Sequence, residues 1–185
     1  MNDSKNFHSR KNIRLKDYDY SQNGCYLITV CTENKKFLFG EYNVGAIHES
    51  PLRKDENRFI ILNQRGKIAE NIIKSAPSVY EQITIDNYIV MPNHFHLLIT
   101  INNSLTDRAI RESPLQRSLI SKVIGYVKMN ISKEIHKEEP EIKIWQRSFY
   151  DRVIRNQKEY ENAWQYVEYN ALKEYPVKTN TEKDN

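Results

Sequence analysis

The chain has 185 residues, with 28 Lys plus Arg against 24 Asp plus Glu and a net charge of +4. At 39% hydrophobic and 28% charged residues it is too apolar for wholesale disorder and long enough for one domain with a real core, while its mild basic excess permits a nucleic-acid partner without demanding one. No stretch approaches the ~18 uninterrupted apolar residues of a membrane helix, and the polar start "MNDSKNFHSRKN" has no signal-peptide centre, so a cytoplasmic protein with no membrane partner is expected.

Residues 1–20 read as a basic arm ending in the turn-like "YDYSQNG", and Arg10, Lys11 and Arg14 are its candidates for contact with a nucleic-acid backbone. The β-branched run "CYLITVCT", Cys25 to Thr32, is a strand, and "KKFLFGEY" after a short polar loop suggests a hairpin with it. Cys25 and Cys31 share one face of that strand but lie ~20 Å apart at ~3.3 Å per residue, so they are expected to be reduced core thiols. Residues 43–58 are polar and turn-rich, a loop before the short strand "FIILN". Ile68, Ile72 and Ile73 then recur at helical spacing between Gln64 and Ala76, with Pro77 closing the segment.

"YIVMPNHFHLLITI", Tyr88 to Ile101, reads as a buried strand kinked or bulged at Pro92, which has no N–H to give a ladder. After the linker "NNSLTDRAIRE", Ser113, Pro114 and Gln116 supply an N-cap, a first-turn proline and a capping-box partner. The helix expected there carries one apolar stripe, Ile120, Val123, Ile124, Val127, Ile131 and Ile135. Lys122, Lys128 and Lys133 fall on its other faces, where they form either a solvated surface or a nucleic-acid contact. "IWQRSFYDRVIRN" suggests a short strand with a loop. Asn156 and Glu159 open a last helix whose buried face takes Tyr160, Ala163, Trp164, Val167 and Ala171 and which ends before Pro176. Residues 21–175 thus form one domain followed by a disordered-like tail, 176–185. The element order predicts an α+β fold, an antiparallel sheet with helices packed on one side.

His94 and His96 carry the strongest chemical signal. Residues two apart in a strand point to the same face, so the two imidazoles project side by side while Phe95 and Leu97 enter the opposite layer. Such a pair can share a divalent metal and leave positions open for substrate oxygens, or it can simply be two half-buried histidines satisfied by neighbours. On the last helix Tyr166 and Asn170 are one turn apart on the flank of the buried stripe, where Asn170 could add an oxygen ligand and Tyr166 could lie beside the same ion.

The separated runs "VMPNHFHLLI", "IWQRSFYDRVIRN" and "YVEYN", with the N-terminal "RLKDYDYSQNGCYLITVCTENKKFLFGE", resemble the single-tyrosine HUH transposases, specifically the REP-associated tyrosine transposases, over roughly residues 11–172 and in the right order. The resemblance implies a ferredoxin-like antiparallel sheet, His94 and His96 as the metal-binding pair, Asn170 as the polar residue that completes the metal site, and Tyr166 as nucleophile. It further implies Mg2+ or Mn2+ as cofactor, single-stranded DNA with hairpin repeats as partner, a 5′-phosphotyrosine intermediate, and a monomer or homodimer. A domesticated repeat-binding or nicking protein without strand transfer is the alternative. The family usually places proline after the metal-binding asparagine; Ala171 stands there, which would let the helix run on.

Tyr150 and Tyr169 are the other tyrosines near enough in sequence to serve as nucleophile. Arg152 and Arg155, with Asp151, form either a DNA-phosphate contact or an internal ion network. Two other functions fit the residues less well. Histidine-triad hydrolases need a third histidine where Leu98 stands, and a closed zinc site finds no ligand spacing among Cys25, Cys31, His8, His48 and His136.

Overall fold

The computed structural model describes residues 22–43, 60–102 and 118–173. The basic arm with Arg10, Lys11 and Arg14, nearly all of the 43–58 loop, the Ser113–Pro114–Gln116 cap and the 176–185 tail lie outside the described residues. The main sheet has four antiparallel strands, β1 (Gly24–Cys31), β4 (Ile83–Met91), β5 (His94–Ile101) and β6 (Tyr150–Ile154), in the order β4-β5-β1-β6. With α1 (Gln64–Val79) joining β1 to β4 and α2 (Leu119–Ile135) joining β5 to β6, the topology is that of the ferredoxin-like split βαβ.

Strand alternation divides the sheet into two faces. Tyr26, Ile28 and Val30 of β1 and Phe95, Leu97, Ile99 and Ile101 of β5 are all fully buried in one cluster with Ala69, Ile73 and Ala76 of α1 and the apolar stripe of α2. Every predicted stripe residue of α2 is buried, each large aliphatic side chain taken out of water contributing ~1.5–3 kcal/mol. The opposite face carries Leu98 and Leu27 under Ala163 and Tyr160 of α3 (Gln157–Glu168). The α+β sheet is as expected, with α1 and α2 on one side; the last helix crosses the other side, the face onto which the histidines project.

Several local expectations are corrected. Tyr88–Ile101 is two strands: Pro92 and Asn93 form a tight turn, and β4 runs back along β5 with Met91 opposite His94 and Ile89 opposite His96. Proline's fixed φ suits the first central position of such a turn, and because the residues flanking it, Val90, Met91, His94 and Phe95, are all buried, the polarity pattern gives no sign of the reversal. The "KKFLFGEY" run does not pair with β1, whose two edges are taken by β5 and β6. Its end, β2 (Gly40–Tyr42), pairs with β3 (Ile60–Leu62) in a separate two-stranded sheet. Gly40 is required there, with φ 158° and a Cβ position only 2.2 Å from the Ile61 carbonyl oxygen.

Helix ends also differ. α1 continues past Pro77 to Val79. The described part of α2 starts after Ser118, whose hydroxyl accepts from the Ser121 N–H. Asn156 caps α3 by accepting from the Glu159 N–H at 2.9 Å, as its sequence signature predicts. Trp164 is 37% exposed and lies off the buried stripe. α3 stops at Glu168, and Asn170–Lys173 form a separate turn, α4. Ala171 therefore does not carry the helix on; it packs with Met91 and Ile60 beside the start of β5.

Candidate active site

The β4–β5 turn brings His94 to the first position of β5 and His96 one pleat further, both on the α3 face and both buried. Their Nε2 atoms are 3.1 Å apart. His94 Nδ1 lies 2.6 Å from Asn93 Oδ1, and His96 Nδ1 lies 2.8 Å from Thr29 Oγ1 across the β1–β5 ladder. A carbonyl oxygen only accepts, so His94 Nδ1–H donates to Asn93 and its Nε2 carries the lone pair. Both Nε2 lone pairs face one cation when the His96 proton sits on Nδ1, where the Thr29 hydroxyl oxygen and the Ile28 backbone can accept it.

Electrostatics keep the pair neutral. Burial, with the Lys35 charge as second cause, pulls His94 down to about 4. Burial and then the neighbouring His94 pull His96 down to about 3. Neutral imidazoles are the form that binds metal.

Tyr166 comes from α3 onto this pair. Its ring meets that of His96 edge-on, with centroids 5.0 Å apart and planes at 70°. Both histidines and Tyr166 line a cleft of about 320 Å3 together with Thr29, Cys31, Lys35, Asn93, Gln146 and Tyr150. Asn170 is 1% exposed, and neither its Oδ1 nor its Nδ2 has a hydrogen-bond partner among the described residues. A buried amide without partners costs ~1–3 kcal/mol, which leaves its oxygen available to a ligand. Its neighbour Ala171 packs on Met91, the cross-strand partner of His94. Two imidazole nitrogens and an amide oxygen are a donor set suited to a divalent cation, and an amide left waiting in the core is the observation that fits one.

The candidate nucleic-acid residues divide. Arg152 pairs with Leu27 on the α3 face and lines a second cavity next to the cleft. Arg155 is exposed at the start of α3. Lys122 is exposed on α2, across the sheet from the histidines. Lys128 is also on α2 and is engaged: its ammonium donates to the Gln146 and Ser148 carbonyls at 2.7 and 3.4 Å and lies 5.8 Å from the Trp145 ring centroid, which makes it a strut for the loop before β6. Tyr150 lines the cleft beside Tyr166, whereas Tyr169 lines only the adjoining cavity.

Thr29, Asn93 and Lys35 were missed by sequence reasoning. Thr29 reads as an ordinary β-branched strand residue and Asn93 as turn filler; only the register Thr29↔His96 reveals the first. Lys35 follows Asn34 in a loop where both have φ 53°, the left-handed region that non-glycine residues rarely adopt.

No protein-family model matches the chain. A Haemophilus influenzae protein described as "Uncharacterized protein" is 29% identical over 174 residues, covering 89% of each chain. A second protein of that organism, described as "Putative REP-associated tyrosine transposase", is 28% identical over 132 residues, 62% of this chain and 68% of that one. Among solved structures, a REP-associated tyrosine transposase bound to a REP hairpin superposes with a TM-score of 0.53 at 17% identity, covering 86% of this chain and 74% of the other. The chain resembles the REP-associated tyrosine transposases. With those transposases it shares the fold, a four-stranded antiparallel sheet with helices packed on it. Among the described residues, no helix is long and apolar enough to cross a membrane.

Proposed function

We propose that this chain is a metal-dependent tyrosine transposase that cuts and rejoins single-stranded DNA beside palindromic hairpin repeats through a 5′-phosphotyrosine linkage. The carrying observation is the edge-on packing of Tyr166 against His96, which sets a phenol and two neutral imidazoles around one cleft; the buried, unpartnered amide of Asn170 just past the end of α3 supports it. The relative described as a putative REP-associated tyrosine transposase and the transposase solved with a REP hairpin point the same way.

The Tyr166 oxygen attacks the phosphorus in line, the bond from phosphorus to the 3′ oxygen breaks, the upstream strand leaves with a protonated 3′-hydroxyl, and the downstream strand stays on the phenol through its 5′ phosphate as an aryl phosphodiester. Attack must be activated, because a phenol with a pKa of ~10 is mostly protonated at neutral pH. The aryl oxygen is a good leaving group, so a 3′-hydroxyl reverses the step and joins strands, which hydrolysis by water could not do. His94, His96 and Asn170 would hold Mg2+ or Mn2+, which offsets charge on the phosphoryl oxygens. Two nitrogen donors favour Mn2+ over Mg2+ in affinity. Asn93 and Thr29 fix the two ring orientations, in the way that partners behind a metal-binding histidine ordinarily do. Because Tyr166 reaches the histidines of its own chain, a monomer holds a complete site.

The test uses end-labelled single-stranded oligonucleotides carrying the palindromes that flank the gene, incubated with Mn2+ and resolved under denaturing conditions. Wild type gives a protein-linked labelled band. Tyr166→Phe loses the band and keeps DNA binding, and His94→Ala loses cleavage together with its metal dependence. A band that persists in Tyr166→Phe moves the nucleophile to another tyrosine.

A further inference from the structure

A second cavity, of about 480 Å3, lies between β6 and α3 and shares Thr29, Tyr150 and Tyr166 with the histidine cleft. Its size falls within the ~300–1,000 Å3 of small-ligand sites. Leu27 and the buried Ala163 give it an apolar floor, while Tyr150 and Tyr169, 51% and 48% exposed, offer aromatic faces to solvent. Two exposed amides, Asn162 and Gln165, and the exposed Arg152 also line it. Flat rings, amides that both donate and accept, and a guanidinium form the combination that takes an unpaired nucleotide: rings stack on the base, amides read its edge, and the cation meets a phosphate.

We infer that this groove is a base-binding subsite for an unpaired nucleotide adjoining the scissile phosphate, with Tyr169 as its stacking platform and Asn162 and Gln165 as its edge readers. Tyr166 is the ridge between the two cavities, so a strand with its phosphate in the histidine cleft delivers the neighbouring base into the groove. The inference rests on the proposed single-stranded DNA substrate and adds where the strand next to the cut is read.

The experiment combines an abasic scan with substitution in the full chain. The flanking oligonucleotide is made with single abasic sites at successive positions on each side of the cut. Affinity is read by fluorescence anisotropy for wild type, Tyr169→Phe, Tyr169→Ala and Asn162→Ala, and the covalent band is followed in parallel. Wild type should lose about ten-fold in affinity at one position adjoining the cut, the scale of one stacked base. Tyr169→Ala should lose the same factor on intact DNA and nothing further at that abasic site, and Tyr169→Phe should restore wild-type behaviour. Additive losses, or no sensitive position, overturn the subsite even if wild type forms the covalent band. Coupling between Tyr169 and one base with no covalent band would instead uphold the subsite and overturn the strand-transfer chemistry.

Discussion

Acidification of the metal-free protein perturbs the histidine pair selectively. An unfolded histidine titrates near 6.5, whereas folding holds His94 at about 4 and His96 at about 3, burial being the first cause for each. Below pH 6.5 the unfolded chain therefore binds protons that the folded chain refuses. The stability contributed is fully present above pH 6.5 and is lost as pH falls toward the folded values, at up to ~1.4 kcal/mol per pH unit for each histidine. Between pH 7.5 and 5 this amounts to roughly 2 kcal/mol for one imidazole and about 4 kcal/mol for the pair, or on the order of 10 °C in Tm for a chain of this size. Thermal unfolding followed by circular dichroism in EDTA should show that fall, and a His94→Gln, His96→Gln double variant should lose most of it. An equal pH dependence in the double variant would refute the reasoning, since the titration would then belong to other groups.

Adding Mn2+ should raise Tm at pH 7.5 and much less at pH 5, because protons compete for the same nitrogens; Asn170→Ala should weaken that rise, as calorimetry can check. Mixing Tyr166→Phe with His94→Ala should restore no covalent product, since phenol and imidazoles act within one chain; recovery approaching wild type would show a site shared between subunits. Gly66→Ala should destabilise by at least ~2 kcal/mol, because its Cβ would fall 2.1 Å from the Phe39 carbonyl oxygen. Gly125→Ala, on the exposed side of α2 with nothing within 4 Å, should stabilise by roughly 0.5–1 kcal/mol through helix propensity, and chemical denaturation measures both.

Elements whose burial is one-sided were legible. The α2 stripe and the Asn156 cap follow from period and spacing, and the same-face projection of His94 and His96 follows from strand alternation alone. Where the residues on both sides of a turn are buried the pattern goes silent, as with Val90, Met91, His94 and Phe95, which is why the Pro92–Asn93 reversal read as a kink. Pairing partners were also hidden: β1 looked like half of a hairpin because sequence proximity stood in for the β5 and β6 edges that occupy it. The helix break at Tyr169 has no composition signal, and Ala171 argued against it. Within the candidate site, residue type identified the groups with distinctive chemistry, the imidazoles and the phenol. Thr29 and Lys35 act through register and loop conformation, which only coordinates supply.

The central claim is most directly tested by mass spectrometry of the proteolysed covalent product formed with Mn2+ on single-stranded hairpin DNA. The account predicts a nucleotide joined through its 5′ phosphate to the peptide containing Tyr166, with fragmentation placing it on that phenol. A nucleotide on Tyr150 or Tyr169, or cleaved DNA bearing a free 5′ phosphate and no attached peptide, would contradict it.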